Sequence, residues 1–500
     1  MKVDYVIIQA GGKGTRMEYL TKNKPKALVP VNNLPIIFHA FKKFSGKEFI
    51  IIGDYKADVL KKYLDVFAEE KIRFVNANGA KGTCGGLQEA LNFIPDNQPF
   101  ILTWCDLILG DDYTLPESET NYIGISKDFP CRWSYINNQF IEEKSSMHGV
   151  AGHFIFKNKK LLKDVPYEGE FVRWLQEQNV RFSEIALYGT HEYGLLDVWQ
   201  KLPKSLCRPF NKITFDGDRL IKEPINKQGE ELSKRELAWY KKVSECNFVN
   251  LPKIYSYKPL IMEKINGKNI YEYNSIDRET KKKILMQVIA CLKNIHKLEK
   301  RNSEYDSFYN AWIGKTFDRL NKIRNLVPFA NDEIVIVNGK KCRNIFFHKK
   351  EVTKTINEWF PKEFHLIHGD CTFSNIMLKE DLTPILIDPR GYFGFTEYYG
   401  DVAYDWVKLY YSLKSNYDQF NLKRFRLHIR KNDVILKTLS NNWEDMEDIF
   451  FELLKGEITE KQIKLYLAIT WLSLTTYAWE DYDSVCGAFY TGLEYLEDAL

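Results

Sequence analysis

The chain is poor in cysteine for its length, with nine in 500 residues, and no two stand in a CxxC pair. Neither a zinc site nor a disulfide framework is indicated, so a reducing cytoplasm is the expected location. No apolar run reaches the length that crosses a bilayer. The N-terminus enters a strand pattern at once, through Val3, Asp4 and Tyr5, and has no signal-peptide core. A surplus of one charge is also missing. Lys and Arg total 71 against 67 for Asp and Glu, a net charge of +4, which argues against a nucleic-acid scaffold. Low-complexity segments and internal repeats are absent. A hydrophobic content of 44% with 28% charged residues remains, as expected of a soluble globular protein. Five hundred residues exceed one ordinary core, so two or three domains are expected.

Residues 9–26 organise the first half. Val6, Ile7 and Ile8 read as a buried strand before them, and an amphipathic helix is expected over 35–44. Strand, glycine loop and helix is the layout that offers backbone N–H groups to a phosphate. Gly11, Gly12 and Gly14 let the backbone approach a ligand, and Thr15 adjoins them. Arg16 and Lys26 supply fixed positive charge for a polyphosphate and are the candidate catalytic cations. A Walker A loop is excluded, because no Gly-Lys-Ser/Thr follows the required gap. A dinucleotide fingerprint is excluded too, since its third glycine would fall at Met17.

Further strands are read at 49–52, 72–75 and 100–103, with helices at 57–69 and 88–93. Such alternation implies a mostly parallel, Rossmann-like α/β sheet with its ligands at the carboxyl ends of the strands. Asp106 falls at such an end, where a carboxylate can hold Mg²⁺ against a nucleotide phosphate. Asp111 and Asp112 read as turn residues.

Gly11, Gly12, Gly14, Thr15 and Arg16, joined to Lys24, Pro25 and Lys26, resemble the signature of the sugar-phosphate nucleotidyltransferases. That family includes NDP-sugar pyrophosphorylases and bacterial phosphocholine cytidylyltransferases. The resemblance covers roughly the first two hundred residues. It implies that Asp106 is a metal ligand and that the loop with Gly82 and Gly85 touches the base and second substrate. It also implies a second metal Asp two residues before Gly189. That position is Leu187, with Glu184 or Glu192 as substitutes. Residues 201–210, with two prolines, read as a linker, giving domains 1–203 and 204–500.

In the second half a hairpin is expected over 213–222 around Asp216 and Gly217. Lys222 ends its second strand, and a helix over 231–243 carries Glu236. A strand lysine paired with a helix glutamate holds ATP phosphates in protein kinases. Residues 260–267 look like the strand and hinge between kinase lobes, with Glu263 the candidate nucleotide contact. His368, Gly369, Asp370 and Asn375 follow a strand, and Asp388 ends another. Asp370 is placed to accept a substrate hydroxyl proton, and Asn375 and Asp388 to hold Mg²⁺ on ATP. Asp401 and Asp405 read as structural. This half resembles the aminoglycoside phosphotransferase and choline kinase superfamily, which implies a two-lobed protein-kinase-like fold. Choline-kinase relatives carry Glu where this chain has Arg390.

The tail holds Trp471, Tyr477, Trp479, Glu480, Asp481, Tyr482 and Asp483. Aromatic faces with carboxylates suit a quaternary ammonium, and a packed helical core explains the same residues. The expectation is a bifunctional enzyme. Its kinase phosphorylates a choline-like alcohol with ATP. Its nucleotidyltransferase then couples CMP from CTP to the product and releases pyrophosphate, for surface glycan or lipid decoration. The alternatives are an anomeric sugar kinase fused to an NDP-sugar pyrophosphorylase, and a ligand sensor with a degenerate kinase domain.

Overall fold

A computed structural model describes residues 2–117, 120–202 and 211–500. Most of the expected linker, residues 203–210, lies outside the described residues. The chain divides into two compact units. One is Met1–Pro203 with Glu480–Asp483, the other Lys204–Trp479 with Ser484–Leu500.

The first unit is built on a nine-stranded sheet. At its centre β1 (Tyr5–Gln9) lies between β2 (Glu48–Gly53) and β4 (Phe100–Trp104), parallel to both, with β3 (Lys71–Asn76) outside β2. Ile7 sits opposite Ile50 and Leu102, and all three are fully buried. Strands covered on both faces read as unbroken apolar runs, which is why this part was legible in the sequence. Helices α1 (Ile36–Lys43), α2 (Ala57–Phe67) and α3 (Leu87–Leu91) follow β1, β2 and β3.

The expected mostly parallel sheet is parallel over this central part and antiparallel on one flank. β5 (Tyr122–Ser126) and the hairpin β6 (Ser134–Ile136) and β7 (Gln139–Ile141) precede β8 (Gly149–Phe156). β8 runs antiparallel to β4, β5 and β6. β9 (Ser183–Leu187), reached through α4 (Phe171–Glu177), adds to β5 in parallel. The carboxyl ends of β1 and β4 are adjacent, Gln9 opposite Trp104.

The second unit begins with four antiparallel strands in the order β10–β11–β13–β12. They are β10 (Asn211–Asp216), β11 (Arg219–Pro224), β12 (Ile254–Tyr257) and β13 (Leu260–Glu263). The β10–β11 turn is Gly217 and Asp218, closed by the Asp216–Arg219 pair, within the hairpin read from the sequence. Between β11 and β12, α5 (Lys227–Glu245) is longer than the expected 231–243. Its start is set by Asn226, whose side chain accepts from the Gly229 N–H at 2.8 Å. The rest is mainly helical, with α6 (Arg278–Leu298), α7 (Lys315–Ile323), α8 (Ala403–Ser415) and α9 (Glu460–Leu474). Three short strands, β14 (Glu363–Leu366), β15 (Ile376–Lys379) and β16 (Pro384–Leu386), carry the loops with Asp370 and Asp388. No helix among the described residues is long and apolar enough to cross a membrane.

Candidate active sites

In the first unit the loop after β1 turns at Gly14, whose φ of +62° is left-handed. A β-carbon there would stand 3.0 Å from Lys26 Cβ, so the turn and the lysine pack directly together. Gly12 has nothing within 4 Å of its virtual β-carbon and faces open space. Thr15 and Arg16 are exposed on the same loop. Lys26 crosses to the end of β4 and forms a short, largely buried ion pair with Asp106. Burial alone would lower the Lys26 pKa, but Asp106 overrides it and holds the ammonium above its ordinary value.

Glu192 joins them. Two short antiparallel strands, Leu107–Ile108 and His191–Glu192, set Glu192 opposite Leu107, and the Tyr193 N–H donates to the Asp106 carbonyl at 2.9 Å. A β-carbon on Gly194 would lie 2.6 Å from Glu192 Oε1 and 3.3 Å from both Asp106 Oδ2 and Lys26 Nζ. Arg16 is 3.9 Å from Glu192. Burial, and then the charge of Asp106, push the Glu192 carboxyl pKa up. Two crowded carboxylates at a strand end fit a hard dication, which takes oxygen ligands and completes its shell from phosphates and water. Among the described residues no three His, Cys, Asp or Glu side chains gather as a metal cluster.

Gly82 and Gly85 are needed for packing. A β-carbon on Gly82 (φ +85°) would lie 2.3 Å from the Gly169 carbonyl oxygen, and one on Gly85 would lie 2.9 Å from that of Ala80. Gln9 Nε2 donates to the Thr83 carbonyl at 2.7 Å and so ties this loop to β1. Lys24, in the same motif as Lys26, is paired with carboxylates. Within the first unit it is buried and bonded to Asp481 at 2.8 Å and Asp483 at 2.6 Å.

In the second unit Lys222, on β11, reaches Glu236 of α5 at 2.9 Å and Asp388 at 2.5 Å. Trp239, one turn beyond Glu236, is fully buried and donates its indole N–H to the Ile367 carbonyl at 2.7 Å. That bond fixes α5 to the Asp370 loop. Asp388 has φ +53°, a backbone conformation rare outside glycine, of the kind held in place at functional sites. The β15–β16 pairing, with the Ile387 N–H donating to Asn375 O at 3.0 Å, brings Asn375 beside Asp388. Asn375 donates from Nδ2 to Asp370 Oδ2 at 3.0 Å. Its amide oxygen is therefore turned from Asp370, and the Asp388 side chain is 48% exposed. An amide oxygen with a carboxylate fits Mg²⁺.

His368 is structural and neutral. Burial lowers its pKa; Nε2 donates to the Ile387 carbonyl at 3.0 Å, and Nδ1 accepts from the Asp370 N–H at 3.2 Å. Asp405, read as structural, holds the loop. It is fully buried and accepts the N–H groups of His368 at 3.0 Å and Gly369 at 2.7 Å, with His296 Nε2 at 2.9 Å.

Glu263 is not brought to this group. Its carboxylate accepts from the Lys253 N–H at 3.1 Å, and its own N–H is spent on the Lys253 carbonyl. In the aromatic tail, Trp471 and Tyr482 take the packed-core reading. Trp471 is fully buried, edge-on to Tyr411 and Phe420, and donates to Ser415 Oγ at 2.9 Å. Tyr482 is buried as well. Sequence reading missed Lys315, Arg319 and Lys408, of which Lys408 lies 3.0 Å from Asp370. Lys315 and Arg319 are four apart on one helix face, which was the available signal.

Residues 6–117 match the family model of the MobA-like NTP transferase domain, and residues 225–426 that of the phosphotransferase enzyme family. Over 100 residues the chain is 37% identical to a D-glycero-alpha-D-manno-heptose 1-phosphate guanylyltransferase of Campylobacter jejuni, covering 19% of this chain and 45% of that protein. It is 26% identical over 203 residues to a CTP:phosphoglutamine cytidylyltransferase of the same organism, covering 38% of this chain and 78% of that protein. The crystal structure of HddC from Yersinia pseudotuberculosis aligns with a TM-score of 0.34 at 22% identity, over 40% of this chain and 97% of that one. The chain spans less than half the length of the heptose-phosphate relative.

Proposed function

We propose that this chain, which joins a MobA-like NTP transferase domain to a phosphotransferase domain, phosphorylates a small alcohol with ATP and then transfers a nucleotidyl group to the product. The proposed domains are residues 1–203 and 204–500. The observation that carries the reading is the contact of Lys222 with both Glu236 and Asp388, beside the Asn375–Asp370 hydrogen bond. It supports phosphate binding by Lys222, with Asp370 as the group that takes the hydroxyl proton. In the first domain, Lys26 and Arg16 would bind the triphosphate. Asp106 and Glu192 would hold Mg²⁺, Glu192 standing in for the acid absent at Leu187. The ion supplies charge neutralisation at phosphate oxygens.

The relation between the two reactions supports one chain. A phosphorylated alcohol is what a nucleotidyltransferase consumes, and the outcome is an activated head group for surface glycan or lipid decoration. CTP is the proposed nucleotide, on the likeness to the phosphoglutamine cytidylyltransferase over 203 residues. The 37% identity to a guanylyltransferase of a sugar phosphate supports a second reading, a sugar kinase feeding an NDP-sugar synthase. The test follows ADP and pyrophosphate separately in one substrate panel. Asp106→Ala is expected to abolish pyrophosphate release and leave ADP formation intact, whereas Asp370→Ala is expected to abolish ADP formation and to release pyrophosphate only when the phosphorylated alcohol is supplied. Pyrophosphate release that survives Asp106→Ala would sink the assignment.

A further inference from the structure

The second unit gathers more positive charge around Asp370 than the ATP contacts use. Lys222 is committed to Glu236 and Asp388. A separate set of cations stands on α7, on α8 and in the loop after β16. Lys408, on α8, reaches Asp370 at 3.0 Å with a side chain only 12% exposed. Tyr404, one turn earlier, has three cations within 6 Å of its ring centroid: Arg390 at 5.6 Å, Lys315 at 5.8 Å and Lys408 at 5.8 Å. Arg390 also donates to the hydroxyls of Tyr404 at 2.7 Å and Tyr392 at 2.8 Å. Arg319 stands one turn beyond Lys315 on α7 and lies 5.8 Å from the Tyr477 ring.

Against these four cations the loop presents one carboxylate, Asp370. Among the described residues, neither Lys315 nor Arg319 has a carboxylate within ion-pair distance; Arg319 donates to the Ser473 carbonyl at 2.5 Å instead. Burial, then Arg390, Arg319 and Lys408, hold the Lys315 ammonium well below the ordinary lysine value. Burial and Arg390 lower Arg319 too. Crowded, partly desolvated cations without counter-charge cost free energy, which a bound anion would offset. The aromatic faces here are already occupied by the protein's own cations, and a quaternary ammonium would meet like charge.

We propose that the acceptor phosphorylated at this site is an anion, a small alcohol bearing a carboxylate or a phosphate. Lys315, Arg319 and Arg390 hold its charge while its hydroxyl meets Asp370. This rests on the kinase reading above and narrows its substrate. In the transfer, the acceptor hydroxyl oxygen bonds to the γ-phosphorus of ATP. The bond from that phosphorus to the β–γ bridging oxygen breaks, and ADP leaves with the electron pair. The hydroxyl proton passes to Asp370. Lys408 stays paired with Asp370, its ammonium 3.0 Å from the carboxylate.

The test uses the full chain with ATP, Mg²⁺ and four alcohols: D-glycerate, glycerol 3-phosphate, glycerol and choline. One of the two anions is expected to exceed glycerol and choline in kcat/KM by about tenfold or more, and which one tells carboxylate from phosphate. Lys315→Met is expected to raise the KM of that anion about tenfold and leave the KM of ATP within about twofold. Glycerol or choline matching both anions overturns the inference, as does a Lys315→Met effect confined to ATP. If none of the four is phosphorylated, calorimetric titration of both anions, in the presence of a non-hydrolysable ATP analogue, decides. Absent binding, or equal binding in Lys315→Met, overturns the inference. A protein that binds no ATP analogue and releases no ADP with any acceptor sinks the kinase reading instead.

Discussion

Replacing Lys222 by Met should separate the structural from the catalytic share of that lysine. The Lys222 and Glu236 side chains are 11% and 9% exposed. Left ionised and unpaired, a buried carboxylate costs about 3–5 kcal/mol. Protonation offers Glu236 a cheaper state. Its ordinary pKa is 4.5, so at pH 7 neutralising it costs about 3.4 kcal/mol, and at pH 5.5 about 1.4 kcal/mol, from 1.36 kcal/mol per pH unit. The sign follows from a carboxyl raised in the folded state. The penalty grows as pH rises above 4.5 and fades as pH falls toward it. Lys222→Met is therefore expected to cost more at pH 7 than at pH 5.5, with about 3.4 and about 1.4 kcal/mol as the respective ceilings. Urea unfolding followed by circular dichroism reads both values. Lys222→Met/Glu236→Gln should recover most of the stability without recovering ADP release, which falls by about 10²–10³ in both variants. Equal destabilisation at the two pH values, or ADP release within about threefold of the parent, would refute the reasoning.

Other changes carry equally definite expectations. His153 is fully buried, and burial pushes its pKa down to about 3. The first unit should lose about 2 kcal/mol as pH falls from 6.5 to 5, because only the unfolded chain takes up the proton. His153→Gln should flatten the unfolding free energy over that interval, and an unchanged slope would contradict the assignment. Asp405→Asn turns a donor toward groups that already donate. It should cut the kcat of ADP release at least about tenfold, with the KM of ATP little changed, at a stability cost of about 2–3 kcal/mol. Steady-state kinetics with parallel unfolding curves checks both numbers, and an unaltered kcat would remove Asp405 from its loop-holding role.

Locally encoded features were readable in the chain. Val6, Ile7, Ile8 and the run at 100–103 announce strands covered on both faces, because such strands need apolar residues at every position. Gly14 announces a left-handed turn, since few other residues accept its φ at low cost. The short spacing from Asp370 to Asn375 and on to Asp388 places these residues through one hairpin. Pairings across long sequence separations depended on the tertiary structure. Glu192 meets Asp106 only because two two-residue strands pair, and strands that short leave no periodic trace. Whether Lys24 met a ligand or Asp481 and Asp483 was invisible, because a lysine reads the same in either role. The aromatic tail showed the same ambiguity: composition makes Trp471 fit for a ligand cage or for a core, and only packing put it in the core. The charge around Asp370 was decided last. Lys315 and Arg319 on α7, Arg390 beyond β16 and Lys408 on α8 are far apart in the chain, and electrostatic fields sum over space rather than along it.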